Sequence, residues 1–257
     1  MVSAADRVKR PARASVWLED GKGRRGRKAE QPSGLDRERI TAAAVRLLDA
    51  EGLAKFSMRR LAAELNVTAM SVYWYVDTKD DLLELAIDAV FGELSLPDPA
   101  AAENWRVQLR RLASGYRDLL VRHPWVSSLI GRFLNIGPHS MAFTLCVQQV
   151  IGNAGLPARG QTGAMSAVFQ FVYGFGTIEG QFIQRCASAG MSQDAYFREA
   201  MGLIMERPGY RKDFARASEL MAARGGDTVE DMRERDFEFA LRVLIAGIEA
   251  MTTDDDR

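Results

Sequence analysis

The chain is poor in cysteine and in histidine, with two of each in 257 residues. Cys146 and Cys186 are too few for a disulfide framework and lack metal-ligand spacing, which fits a reducing compartment and reads as two buried, apolar thiols. Two histidines leave no clustered imidazoles, and there is no zinc-protease helix, nucleophile elbow or phosphate loop. No catalytic residue, metal site or cofactor is therefore expected. No run reaches the roughly 18 apolar residues of a membrane span, and the arginine-rich N-terminus lacks the apolar core of a signal peptide. The expectation is a cytoplasmic protein without a membrane partner. Also missing is any alternating strand pattern between turns, so the fold class expected is all-α.

Net charge is absent as well, but only in total. Residues 1–80 hold 16 Lys and Arg against 11 Asp and Glu, and subtraction from 34 and 34 leaves 18 and 23 for the rest. A basic N-terminal third on an acidic body suits a protein that meets nucleic acid with that third alone. The 47% hydrophobic content is enough for one large core or two smaller ones.

Residues 1–34 alternate basic residues with Gly, Pro, Ser and Ala and have almost no apolar periodicity, which reads as a flexible basic arm. Within them Gly21-Lys22-Gly23-Arg24-Arg25-Gly26 spells the dinucleotide-binding glycine fingerprint, yet it follows no strand and opens no helix, so it carries no such function. The arm is either a solvated tail or a minor-groove contact.

Helical pattern starts at Asp36, which N-caps a helix to about Ala50 with Ile40, Ala44, Leu47 and Leu48 on one face and Gly52 beyond its end. Ser57 caps a second helix with Met58, Leu61, Ala62 and Leu65 inward. Asn66 suits the left-handed turn that follows. Thr68 caps a short third helix holding Val72 and Val76 inward, and Thr78 with Asp81 opens a fourth. A DNA-binding domain is thus expected over 35–95 and a larger helical domain over 96–257, with Pro97 and Pro99 at the boundary. In the latter, Trp105, Leu109, Leu112, Tyr116 and Leu119 form one stripe ending near His123 and Pro124. Further helices are expected from Pro138 to about Asn153, from about Thr162 to Arg185, and through Phe237, Leu241, Leu244, Ile248 and Met251.

The run Val67-Thr68-Ala69-Met70-Ser71-Val72-Tyr73-Trp74-Tyr75-Val76-Asp77-Thr78-Lys79-Asp80-Asp81-Leu82-Leu83 resembles the tetracycline-repressor (TetR) family. The match lies in a short reading helix with aromatics near its end, then a capping residue, a lysine and a leucine pair. Ser57-Met58-Arg59-Arg60-Leu61-Ala62 resembles the start of the family's second helix. Phe237-Glu238-Phe239-Ala240-Leu241 with Gly247-Ile248-Glu249 resembles the last helix of the subgroup whose ligand domain is like the tetracycline repressor's own. Asn66 departs from the family's usual glycine, and both suit the turn.

The resemblance implies a three-helix head with a helix-turn-helix, followed by a ligand-binding and dimerisation domain. It places Thr68, Ala69, Met70 and Ser71 at base edges, Tyr73, Trp74 and Tyr75 toward the DNA backbone, and Arg59, behind the cap Ser57, on a guanine. Lys79 would meet a phosphate at a helix N-terminus. Effector contacts are expected from Trp105, His123, Trp125, Phe133, Cys146, Phe169, Gln170 and Tyr173, with Gln148 and Glu179 as further polar groups. His123 has a second reading, as a cation complementing the end of its own helix. Partners implied are a double-stranded DNA operator, a small-molecule effector and a second copy, joined through helices near 162–185 and 232–251. Repression is the family's habit. The rivals are a redox sensor at Cys146 or Cys186 and a ligand-binding protein without DNA function.

Overall fold

In the computed structural model, residues 15–18, 34–207, 209–210, 223 and 225–254 are described. Among them are nine α-helices and no strand: α1 (Arg37–Glu51), α2 (Met58–Glu64), α3 (Ala69–Tyr73), α4 (Lys79–Phe91), α5 (Trp105–Arg122), α6 (Pro138–Gly152), α7 (Ala158–Ser188), α8 (Gln193–Met205) and α9 (Val229–Asp254), with a 3-10 turn at Val126–Ser128 between α5 and α6. No described helix is long and apolar enough to cross a membrane.

The caps expected from the sequence are in place. Asp36, Ser57, Thr68 and Thr78 each accept a hydrogen bond from the backbone N–H three residues on, and Thr78 with Asp81 closes a full capping box. Between α2 and α3 the chain turns at Asn66, whose φ is 53°. The Val67 N–H donates to the Ala62 carbonyl at 2.9 Å and the Asn66 N–H to the Ala63 carbonyl at 3.1 Å. That is a Schellman closure, and it sets the angle at which α3 leaves α2.

The chain forms two compact units, one of residues 1–98 with 118–147, the other of 99–117 with 148–257. Helices α5 and α6 each begin in one unit and end in the other. The head expected over 35–95 therefore lies within the first unit, which also takes in 118–147.

In the first unit α4 is buried almost all round, from Asp81 to Asp88 without a break. Its leucines and Ile87 fill the core with Ile40, Leu48, Leu61 and Val72, each fully buried or nearly so. Burial of this kind forces three acids on α4, Asp81, Glu84 and Asp88, to find donors. Asp81 takes the capping box. Glu84 accepts the Ser15 hydroxyl at 2.6 Å, and Asp88 accepts the Ser140 backbone N–H at 2.9 Å, capping α6 from outside its own chain segment. Ser15 also overturns part of the arm expectation. Ser15 and Val16 are buried and the Trp17 ring receives the Arg37 guanidinium. The rest of the arm, with the Gly21–Gly26 run, lies outside the described residues.

In the second unit α7, α8 and α9 pack on one another. Phe237 is fully buried and stacks on Phe171 with ring centroids 5.7 Å apart, beside Phe175 at 5.3 Å. Arg117 enters this cluster, its guanidinium 4.6 Å from the Phe237 ring centre and bidentate to Glu179 at 2.7 and 3.0 Å, with Glu234 as a third partner. Met251, one of the residues that marked this last helix in the sequence, is 68% exposed. It shares an outer stripe with Phe239, Val243 and Gly247, each four residues apart.

Candidate functional site

The reading helix is held by its inner face and presents its outer one. Val72 and Val76 are buried against the head, while Met70 is 69% and Tyr73 38% exposed. Thr68, Met70 and Tyr73 are exposed, and Ala69 and Ser71 are half-buried. Thr68 and Ser71 are also joined to each other, oxygen to oxygen at 2.9 Å. The contact stiffens the first turn of α3 and leaves each hydroxyl with further hydrogen-bonding capacity.

Arg59 is exposed at the start of α2, and its neighbour Arg60 is taken up by Glu51 at 2.6 Å and by Glu64. The two arginines therefore differ in availability despite being adjacent. Ser57 serves α2 as its cap. Trp74 and Tyr75 are half-buried at the end of α3, so the aromatic trio divides into one exposed ring and two that also pack. Lys79 donates to the Phe56 carbonyl at 2.8 Å and lies 5.3 Å from the Phe56 ring centre. One of its three donors thus ties the start of α4 to the loop before α2, a job that sequence reasoning had not given it.

The eight residues expected to touch an effector fall into both units. Trp105, Phe169, Gln170 and Tyr173 belong to the second. There Trp105 is buried with the Arg106 guanidinium 4.5 Å from its ring centre, Arg106 pairs with Glu249, and the rings of Phe169 and Tyr116 meet at 5.9 Å. Burial pushes the Tyr116 hydroxyl well above its ordinary value, with Tyr173 adding to the shift. Gln170 and Gln148 are exposed, and Glu179 is spent on Arg117.

His123, Trp125, Phe133 and Cys146 belong to the first unit. His123 and Trp125 both reach Asp49, at 2.7 Å each. Phe133 is half-buried under Arg132 in a loop closed by Asn135, whose φ is 50° and whose side-chain amide donates to the Ile130 carbonyl at 2.6 Å. The Cys146 thiol donates to the Pro97 carbonyl at 3.4 Å. Burial, with Asp98 nearby, raises its pKa, which is the opposite of what a reactive thiolate needs.

Two constellations escaped sequence reasoning, Arg117 with Glu179 and Glu234, and His123 with Asp49 and Glu93. Their partners lie 30 to 117 residues apart. One signal was legible: Asp49 sits in the last turn of α1, where the helix dipole repels an acid unless a cation is close. Among the described residues no cluster of His, Cys, Asp and Glu could hold a metal ion.

Residues 40–86 match the family model described as bacterial regulatory proteins, tetR family, and residues 96–252 match the tetracyclin repressor-like, C-terminal domain. An HTH-type transcriptional regulator of Saccharopolyspora erythraea is 31% identical over 216 residues, covering 84% of this chain and 85% of its own. The HTH-type transcriptional repressor DrrR1 of Streptomyces coeruleorubidus is 39% identical over 119 residues, covering 46% of this chain and 44% of its own. The crystal structure of the Streptomyces coelicolor TetR family protein ActR in complex with actinorhodin superposes with a TM-score of 0.69 at 25% identity, covering 87% of this chain and all of the other.

Proposed function

The chain belongs to the tetR family of bacterial regulatory proteins and is a helix-turn-helix transcriptional regulator; from that premise we propose that it is a dimeric repressor, released from a palindromic operator by a small apolar or amphipathic effector. The exposed start of α3, rigidly seated through Val72 and the Schellman turn at Asn66, carries this reading. Thr68, Ala69, Met70 and Ser71 face base edges in the major groove, with Met70 and Ala69 suited to thymine methyl groups. Arg59 pairs with a guanine, since its guanidinium is the available one of the pair at the start of α2. Tyr73, Trp74, Tyr75 and Lys79 meet the DNA backbone; Lys79 keeps two donors for a phosphate after serving Phe56.

Support for the dimer comes from apolar surface that a lone chain would leave in water. On α7 Ile178 is 69% exposed one turn after Gly174, and on α9 Phe239, Val243 and Met251 are 62%, 56% and 68% exposed. An added Cβ at Gly174 or Gly247 would meet nothing within 4 Å, so both backbones are open to close approach by a second copy. An isologous contact of this kind sets two reading helices about one DNA turn apart, hence the palindrome.

The effector reading rests on the second unit, which holds Trp105, Phe169 and Tyr173 as aromatic groups and Gln170 as an exposed polar one. His123, Trp125 and Cys146 are engaged elsewhere. ActR is solved with actinorhodin, which makes actinorhodin the first compound to try. Effector and operator weaken each other because each prefers a different arrangement of the dimer.

The test is fluorescence anisotropy on a labelled duplex from the upstream region of the chain's own gene. Binding should survive excess random DNA, and apolar or amphipathic compounds that raise the melting temperature should lower operator affinity. Release fails as a mechanism if every compound that binds leaves that affinity untouched.

A further inference from the structure

Three helices of the first unit converge by their C-terminal ends on one side chain. His123 directly follows α5, Asp49 sits in the last turn of α1, and Glu93 lies two residues past α4. The imidazole is 3% exposed. Its Nδ1 is 2.7 Å from Oδ1 of Asp49 and its Nε2 is 3.2 Å from Oε2 of Glu93. The Trp125 indole N–H donates to the same Asp49 oxygen, and Arg122 meets Glu93 at 2.9 Å. These are the charged groups that face the ring, two carboxylates and one guanidinium, in a place where three helix C-termini add partial negative charge.

A neutral imidazole has one donor and would turn a lone pair toward one of the carboxylates, whereas the imidazolium donates to both. With the ring charged, the four side chains sum to zero. Without that charge they sum to −1 in a place already negative.

We propose that the His123 imidazolium is the coupling pin of the effector response, fastening the end of α5 to the first helix of the reading head at Asp49 and to the exit of its fourth helix at Glu93. The proposal rests on the effector-release reading above. Helix α5 begins in the second unit with Trp105 and Arg117 and reaches the first unit at its C-terminal end. A shift of α5 along or about its axis therefore reaches the group formed by Arg122 and His123 at its C-terminal end, and the Asp49 contact decides whether α1 follows. His123 is thus a positioning residue for operator binding; it touches no DNA.

Protonation is the independent handle. Burial opposes the charge, but the hydrogen bond and charge of Asp49, then those of Glu93, outweigh it and hold the imidazolium above its ordinary value. A cation held this way is fully present below about pH 6.5 and is lost as pH rises through its raised value in the fold, so the pinned, DNA-binding arrangement weakens toward alkaline pH.

The experiment uses the full-length protein and a duplex that it enriches from a random-sequence pool. Operator affinity is measured from about pH 6 to about pH 8.5, alongside the NMR titration of the two imidazoles, which His139→Gln assigns. Wild-type affinity should fall about fivefold or more, at the low end of ordinary coupling, with a midpoint that follows the His123 resonance. His123→Gln should bind weakly at every pH, and His139→Gln should keep the wild-type profile. Asp49→Asn should bring the His123 resonance down toward its ordinary value. Affinity that stays flat while His123 titrates overturns the proposal, as does a folded His123→Gln protein with wild-type affinity and profile. A wild-type protein that enriches no duplex at any pH overturns the DNA-binding reading itself, and so fails at a different step.

Discussion

Replacing Gly137 with alanine should be among the most damaging single changes in the first unit, although it adds only a methyl group. A Cβ at that position would stand 2.2 Å from Oδ1, 2.3 Å from Cγ and 2.8 Å from Cβ of Asp88. The carboxylate has to move. When it moves it gives up the Ser140 backbone N–H, 2.9 Å away, which is buried and has the N-terminus of α6 behind it. Overpacking of a tight site costs about 1–3 kcal/mol, and a hydrogen bond to a charged group contributes about 1.5–3 kcal/mol. Gly137→Ala should therefore cost about 3–5 kcal/mol, and Asp88→Ala about 2–4 kcal/mol through the lost cap. The two effects share one carboxylate, so they cannot add. In the Asp88→Ala background only the 2.8 Å Cβ contact persists, and the added methyl should cost about 1–2 kcal/mol. Urea unfolding of the two single variants and the double variant, at one protein concentration, gives the coupling directly. Additivity within about 0.5 kcal/mol would refute the account of Asp88 as the cap that Gly137 makes room for.

Three other outcomes follow from named contacts. Arg59→Ala should cost roughly 1–3 kcal/mol of operator binding and relax preference at one base pair, whereas Arg60→Ala, whose guanidinium already serves Glu51 and Glu64, should change operator binding little; anisotropy on single-site operator variants separates them. Arg117→Met should destabilise the protein by about 3–5 kcal/mol by leaving Glu179 buried without its cation, and much of that loss should return in Arg117→Met with Glu179→Leu, as read by denaturant unfolding. Glu84 is held above its ordinary value by burial, partly offset by the Ser15 hydroxyl, with Asp81 adding to the rise; the folded state thus binds this proton more tightly, and stability from this group is present below about pH 4.3 and lost as pH rises through the raised value, a slope that Glu84→Gln should flatten in urea midpoints.

The local rules of helix ends carried a long way in this chain. Asp36, Ser57, Thr68 and Thr78 each announce a helix by a side-chain oxygen placed before an apolar period, and each accepts the bond that this chemistry predicts. Asn66 announced its turn as plainly, since few side chains tolerate a φ of 53°. What depended on distant partners did not show. Nothing near Arg117 in the sequence foretells Glu179 and Glu234, 62 and 117 residues away, and an arginine after Tyr116 reads as a solvated residue until α7 and α9 close over it. Phe237, Leu241, Ile248 and Met251 mark the last helix together, yet only the first three are buried, and Met251 lies on the outer stripe with Phe239 and Val243. The effector residues were the least legible, because an aromatic side chain looks the same in a core as in a pocket, and only the surroundings distinguish the two.

The arrangement of acids on α4 shows why the head cannot be understood as the three-helix element that its motif suggests. Helix α4 is too apolar to border water, and residues 118–147 of the same unit cover it: Phe143 meets Phe91 edge-on at 5.5 Å, and Ser140 with His139 takes up Asp88. Asp88 and Phe91 take partners from beyond the prolines near 97, as Asp49 takes His123 and Trp125. The contacts that stabilise α1 and α4 are thus made by the segment where α5 ends and α6 begins. That segment is continuous with both helices that enter the second unit, so on the coupling proposed above a change at the ends of α5 and α6 reaches the packing that supports the reading helix. Stability of the head and response of the head are, on this account, two readouts of the same few contacts. A substitution such as Asp49→Asn should then move both together, whereas Met70→Ala on the open face of α3 should change DNA recognition and leave unfolding within about 0.5 kcal/mol of wild type.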